Sequence, residues 1–199
     1  MNTIIKLMGR LRKNTSDSSR IRWYAGVRQL IVINCLVMLL CFSNVLYSSN
    51  IHALKSLFLF NFVNYVEWPS QIFKHKNSPV IYCVSGNLRV FKNLRSVLKD
   101  EYYQNRKLIV RELESDEEMH GCHIVFFGAA DKYQTESTLE ILARQHVLTV
   151  GEDPDFLKKG GMINLDYDKN HVVIEIDLEN VKQGQLNISS KLLRLSKVH

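Results

Sequence analysis

The sequence predicts an α/β domain with a mostly parallel central sheet, helices on both faces of that sheet, and a C-terminal antiparallel β-hairpin. Four short runs rich in β-branched and aromatic residues are almost wholly apolar, at residues 80–84, 108–110, 123–127 and 147–150. Stretches of helical periodicity alternate with these runs, which is the pattern of a parallel sheet that is covered on both sides. Because crossover connections are right-handed, few topologies remain for such a domain.

The first element predicted after residue 50 is a helix over His52–Val66. Its apolar residues recur at three- and four-residue spacing and form one broad face: Ile51, Leu54, Phe58, Phe62 and Tyr65. Pro69 is expected to end the helix, because the residue before a proline, here Trp68, is pushed out of the α region. The Trp68 indole is large enough to bury a wide surface beside that stop. Core packing and a partner or ligand contact both remain open for it.

The later elements follow from the same patterns. The turn-forming trio at 168–170 separates two β-rich runs, so an antiparallel hairpin is predicted there. No repeat and no linker-like segment interrupts residues 50–199, which are therefore predicted to be a single domain. The remaining predicted elements are helices leading to Leu98, from about Tyr133 to Arg144 and over Ser189–Leu195, and the hairpin strands Met162–Tyr167 and His171–Ile176.

Residues 1–49 are predicted to be a signal peptide or an N-terminal membrane anchor. The run Leu30–Phe42 has 13 residues and no charge, follows a basic stretch and precedes small polar residues. Thirteen helical residues span about 20 Å, short of the ~30 Å hydrocarbon core. Extension through Tyr47 gives about 18 residues and keeps the anchor interpretation open, and a buried core helix is the third alternative. The basic flank predicts export of the remainder, to the periplasm.

The positive charge of the chain lies in that N-terminal segment. The chain has 26 basic and 20 acidic residues, of which seven basic residues and one acid, Asp17, fall within residues 1–28. Nineteen of each sign are left for the remainder, which is therefore neutral. A nucleic-acid partner for the folded part is not predicted.

The cysteines divide between the two parts of the chain. Cys35 and Cys41 lie in the apolar run, so the exported part retains Cys83 and Cys122. An even number of cysteines in an oxidising compartment favours a disulfide between them. Two unpaired buried thiols are the alternative, since free cysteines are common in protein cores.

No strong catalytic or metal-binding motif is present, so neither an enzyme, a cofactor nor a metal is predicted. Gly86, Gly128 and Gly151 follow strands, where open α/β sheets bind ligands, but any tight strand-to-helix turn also needs glycine. In the stretch His120–His123, the adjacent Cys122 and His123 leave opposite faces of a strand, and no further cysteine cluster completes a zinc site. The acidic run at 112–118 is interpreted as a solvated loop.

Six segments in order resemble the YfiR/HmsC-type family of bacterial periplasmic regulators. Together they cover about residues 51–197, essentially the whole exported part. They are the aromatic segment Phe58–Pro69 that ends in Trp-Pro, Ile81–Gly86, Cys122–Phe126, Val147–Gly151 with Phe156 after it, Gly160–Leu165 and Leu186–Leu195. Two departures are the long basic extension before the apolar run and the lack of a second cysteine pair that some relatives carry.

The resemblance implies a non-enzymatic inhibitor with a disulfide at Cys83 and Cys122. Its implied partner is the periplasmic region of an inner-membrane diguanylate cyclase, which it represses, so that it controls cyclic-di-GMP and biofilm formation. An outer-membrane lipoprotein that sequesters the inhibitor is a second implied partner, and a homodimer is left open. The competing hypothesis, from a different class, is a periplasmic signalling module that binds a small ligand.

The C-terminal hairpin supplies the predicted partner surface. Alternation along His171–Ile176 directs Glu175 outward if its neighbours face the core. Ile163 and Val181 are candidates for an apolar patch beside Glu175, with ordinary core positions as the alternative. Gly160 and Gly161, before the first hairpin strand, are expected to permit a close approach or a sharp bend.

Overall fold

The secondary structure is given by a computed structural model that describes residues 51–115, 117–129, 131–133, 135–168 and 171–199. The strands are β1 (Val66–Glu67), β2 (Val80–Ser85), β3 (Tyr102–Tyr103), β4 (Arg106–Glu112), β5 (Ile124–Phe127), β6 (Leu148–Gly151), β7 (Ile163–Asp168), β8 (His171–Ile176), β9 (Asn187–Ile188) and β10 (Lys197–Val198). The α-helices are α1 (51–62), α2 (Leu88–Val97), α3 (Glu136–Arg144), α4 (Leu178–Gln183) and α5 (Ser190–Leu193).

The predicted signal peptide or anchor, and its boundary with the domain predicted to begin at residue 50, lie outside the described residues. Among the residues that are described, no helix is both long enough and apolar enough to cross a membrane.

An eight-stranded sheet has the order β10-β8-β7-β6-β5-β2-β4-β3. Strands β4, β2, β5, β6 and β7 are mutually parallel, whereas β7 and β8 form the antiparallel hairpin. The predicted fold class is therefore confirmed. From β2 the chain moves outward to β4 and then returns to the opposite side of β2 to form β5. This reversal of direction is the topological switch point of a doubly wound sheet.

Two apolar clusters cover the two faces of the sheet and explain why its strands are apolar throughout. In β2, Tyr82 and Val84 belong to the cluster that contains residues of α1 and α2, whereas Cys83 between them belongs to the cluster beneath α3. The same alternation holds in β5, where Phe126 and Phe127 face opposite clusters. Each strand thus buries both of its faces.

The predicted end of the first helix is wrong. Helix α1 ends at residue 62, a turn follows, and Val66–Glu67 pairs with Ile188 and Asn187 as the small sheet β1–β9. This pairing takes the chain out of the helix well before Pro69, which instead precedes the short 3-10 helix Ser70–Ile72. Of the predicted face of α1, only Phe62 is fully buried, and the other buried positions of this helix are Lys55, Ser56 and Leu59.

Several short elements were not predicted. Strands β1, β3, β9 and β10 have two residues each, too few to show any periodicity. Asp177 is the N-cap of helix α4, and its carboxylate accepts hydrogen bonds from the N–H groups of Glu179 and Asn180. An aspartate at this position is a standard start signal for a helix, so α4 could have been recognised in the sequence.

Candidate functional site

The crevice at the carboxyl ends of β2 and β5 lies at the switch point, and two glycines shape it. Gly86 has a φ of +71°, and a Cβ added there would lie 2.7 Å from a carboxylate oxygen of Asp131. A Cβ on Gly128 would lie 2.5 Å from the carbonyl oxygen of Gly86. Both positions therefore exclude a side chain, because the two strand-end loops contact each other directly. Close approach of the loops accounts for two of the three predicted strand-end glycines, Gly86 and Gly128.

The carboxylate of Glu152, directly after β6, fills this crevice. Its Oε2 is 2.5 Å from the Lys55 ammonium of α1. Its Oε1 accepts hydrogen bonds from the Asn87 side-chain amide at 2.9 Å and from the Ala129 N–H at 3.1 Å. The side chains of Lys55 and Glu152 are each only 9% exposed. This buried ion pair thus connects α1 to the ends of β5 and β6.

Asn87 joins this pair to the start of α2. Its side-chain oxygen accepts a hydrogen bond from the Val90 N–H at 3.1 Å and so caps the helix, while its amide nitrogen donates to Glu152. Asparagine is among the preferred residues for a helix N-cap. The Asn87 side chain therefore holds the Glu152 carboxylate beside the N-terminus of α2, the end of a helix that favours a negative charge.

His52 lies one helical turn before Ser56 on α1, near the same ion pair. Its Nδ1 is buried and has no hydrogen-bond partner among the described residues. Burial lowers the pKa of His52; the Glu152 carboxylate opposes this shift, whereas Arg89 and Lys55 reinforce it. The imidazole is therefore biased toward its neutral form beside the buried pair.

A second concave region lies beside Trp68. The cavity has a volume of about 270 Å³, and its aromatic walls come from Trp68, Phe73 and Tyr103. Arg106 lies over the Phe73 ring, 3.8 Å from the centroid. It donates hydrogen bonds to the carbonyl groups of His75 and Ser78, in the loop before β2. The Nε1 of Trp68 is buried without a partner among the described residues. The cavity therefore combines aromatic walls with the cation of Arg106.

His123 packs against Phe73, one of the aromatic walls of this cavity. Its ring stacks on Phe73, with the centroids 4.9 Å apart, and its Nδ1 accepts a hydrogen bond from the Ile81 N–H at 3.2 Å. An Nδ1 that accepts cannot carry a proton, so the folded protein holds His123 neutral. Burial, assisted by the charge of Arg106, lowers the pKa of His123 to about 4.

Stability is expected to fall with decreasing pH because of His123. Between pH 6.5 and about 4 the unfolded chain binds a proton at this histidine that the folded chain does not bind. His123 therefore does not lower the free energy of unfolding above pH 6.5, and its destabilising effect grows as the pH falls towards 4. Thermal melts at half-unit pH steps test the expectation. The His123→Gln variant should show a shallower decline of Tm below pH 6.5, and an unchanged slope would contradict it.

Cys83 and Cys122 form a disulfide. Cys83 lies within β2, Cys122 lies two residues before β5, and their Cα atoms are 6.0 Å apart. Both belong to the apolar cluster beneath α3. The bridge therefore joins the two adjacent strands that flank the switch point, on the face opposite to α1 and α2.

The residues predicted for a partner surface occupy different environments. Ile163 and Val181 are buried in the main core, so they do not form an exposed apolar patch. The side chain of Glu175 is 18% exposed and pairs with Lys197 of β10 at 3.3 Å. Glu175 thus helps to hold the last strand against β8, and its role in partner binding stays a prediction.

Gly151 and Gly161 lie against the ring of Phe156. A Cβ on Gly161 would lie 2.2 Å from the ring of Phe156, and a Cβ on Gly151 would lie 2.4 Å from it. Phe156 itself is fully buried. Gly160 has a φ of +101°, which places the bend immediately before this contact. The expectation of a close approach and a bend at Gly160–Gly161 therefore agrees with the geometry.

These features define a doubly wound α/β domain that fills the usual ligand crevice of its fold with its own ion pair. A family model described as YfiR/HmsC-like matches residues 52–197, and the chain belongs to that family. The match spans the helix that carries Lys55, both bridged cysteines and the C-terminal hairpin. No curated protein matches the chain.

Proposed function

We propose that the protein is an exported regulator that binds the periplasmic region of an inner-membrane diguanylate cyclase and represses it. Through this repression it would lower cyclic-di-GMP and limit biofilm formation. An outer-membrane lipoprotein that sequesters the regulator would release the cyclase. The observation that carries the proposal is the YfiR/HmsC-like match over residues 52–197.

The geometry is consistent with a protein that acts by binding another protein. The buried pair Lys55–Glu152 lies in the crevice at the switch point, with the Asn87 side chain and the Ala129 N–H bonded to the same carboxylate. The disulfide Cys83–Cys122 fits an oxidising compartment, and it supports the proposal of a periplasmic location.

Immunoprecipitation from detergent-solubilised membranes tests the proposed partner. The protein is captured as the cell produces it, and co-purifying proteins are identified by mass spectrometry against a strain that lacks it. We expect enrichment of an integral membrane protein that carries both a periplasmic region and a diguanylate cyclase domain. Failure to enrich such a protein, when the input membranes contain one, would count against the proposal.

Binding of a small ligand is the second candidate function, and the cavity beside Trp68 favours it. Its volume of about 270 Å³ is close to the lower end of the usual range for ligand sites, and it offers aromatic walls and the Arg106 cation. A ligand there would contact β1 and the loop after it. The two functions are compatible, because a ligand at this position could modulate a regulator.

A further inference from the structure

One edge of the main sheet is left largely open at β4. This strand has seven residues, whereas its outer neighbour β3 has two and pairs only with Arg106 and Lys107. Beyond Leu108, no strand of the described residues covers the outer side of β4. The uncovered stretch 109–112 is about 13 Å long at 3.3 Å per residue.

Two hydrogen bonds establish which backbone groups face the open side. The Leu108 N–H donates outward to the Glu101 carbonyl at 3.0 Å, and the Leu113 N–H donates inward to the Val84 carbonyl of β2 at 2.9 Å. Because alternate residues of a strand point their N–H and C=O groups to the same side, Val110 and Glu112 point outward with Leu108. No ladder partner for Val110 or Glu112 exists on that side among the described residues.

A basic groove runs along this edge, between α2 and β4. Its volume is about 670 Å³, and its apolar floor includes Leu98, Leu108 and Val110. One acid, Asp100, also lines it. Four exposed cations line the groove, and none of them forms an ion pair within the described part of the chain: Lys92, Arg95, Lys99 and Lys107.

We propose that the open edge of β4 and the adjacent basic groove bind an extended acidic segment of a partner protein, which adds to the sheet as a further strand. The backbone of such a segment would bond to the outward groups of Val110 and Glu112. Its acidic side chains on one face would meet the cations that line the groove, and its apolar side chains would contact the groove floor.

Charge and geometry separate this occupant from the alternatives. A second copy of the chain, paired edge to edge, would bring two sets of groove cations together, which like-charge repulsion opposes. A membrane surface would use the cations but not the outward backbone groups. Lysine on an edge strand can also prevent aggregation, and that role would explain Lys107. It does not explain Lys92 and Arg95, which lie on α2, or Lys99, which lies two residues after that helix.

Selection from a random peptide library on the immobilised protein, taken as the cell produces it, tests the proposal without any assumption about a cyclase. We expect enriched peptides in which acidic residues alternate with β-branched or aromatic residues. The Lys92→Glu/Lys99→Glu variant should bind them about tenfold more weakly or worse. The control Lys132→Glu/Lys182→Glu makes the same change in charge at exposed lysines outside the groove and should leave affinity unchanged.

A second pair of variants isolates the backbone contact. Glu112→Pro removes an outward N–H that makes no bond to β2, whereas Glu112→Ala removes the same carboxylate and keeps the N–H. We expect affinity to fall about tenfold in the proline variant only, a change of about 1.4 kcal/mol that matches one backbone hydrogen bond. Thermal melts of all variants verify that each remains folded.

Four outcomes would overturn the proposal. These are no enrichment of acidic peptides, equal affinity of the two Glu112 variants, self-association in sedimentation that Glu112→Pro abolishes, and binding to phosphatidylglycerol vesicles that Lys92→Glu/Lys99→Glu abolishes while Glu112→Pro does not. The last two would assign the edge to a second copy and to a membrane, respectively. Because the selection uses no cyclase, acidic peptides can be enriched even if the proposed function fails.

Discussion

The Lys55→Met variant is expected to lower the free energy of unfolding by about 3–5 kcal/mol, because it leaves the Glu152 carboxylate buried without its counter-ion. Both side chains are 9% exposed, so water cannot replace the lost ammonium group. Asn87 and the Ala129 N–H would remain as the carboxylate's hydrogen-bond donors. Urea denaturation followed by circular dichroism measures the change.

Two control variants show whether burial causes the loss. Lys55→Met/Glu152→Gln removes both charges and should recover most of the stability, since replacing a buried pair with neutral groups costs much less than breaking it. Arg144→Met breaks the ion pair with Glu140, whose side chains are 76% and 64% exposed, and should cost about 0.5 kcal/mol or less. A Lys55→Met loss as small as that of Arg144→Met would contradict the structural role of the pair.

The Cys83→Ser variant is expected to lower stability by about 4 kcal/mol, the chain-entropy value for a bridge that closes a loop of this length. The bridged cysteines are 39 residues apart in sequence. Reduction of the native protein should produce a loss of similar size, and the variant should be insensitive to reductant. If both thiols of the folded native protein react with a maleimide before reduction, the bridge does not form in solution.

The six longer strands could be inferred from the sequence, whereas their order in the sheet was not predicted. Residues such as Val84 and Phe126 lie in runs that are apolar on both faces, which distinguishes a doubly covered parallel sheet from a half-exposed one. The local sequence pattern did not predict the end of an element where pairing with a distant strand determines it. The end of α1 is set by the pairing of Val66 with Ile188, and nothing near Pro69 in the sequence reveals that contact.

The candidate site was less accessible from the sequence. Lys55 is a single charge among apolar neighbours in α1, and Glu152 follows a strand-end glycine, but their partnership depends on contacts 97 residues apart. A lysine at a helix position that repeats with Leu59 and Phe62 does indicate a buried charge and could have prompted a search for its partner. Likewise, Ile163 and Val181 were assigned correctly only by the alternative that made them core residues.

Quantification of cyclic-di-GMP in the native host tests the proposed function most directly. The nucleotide is measured by mass spectrometry in the wild type, in a strain without this protein, and in that strain complemented with the full chain. We expect a rise on deletion, a return on complementation, and no rise when the cyclase found by immunoprecipitation is deleted as well. Unchanged cyclic-di-GMP in the deletion strain, under conditions in which the wild type produces the protein, would contradict repression of a diguanylate cyclase.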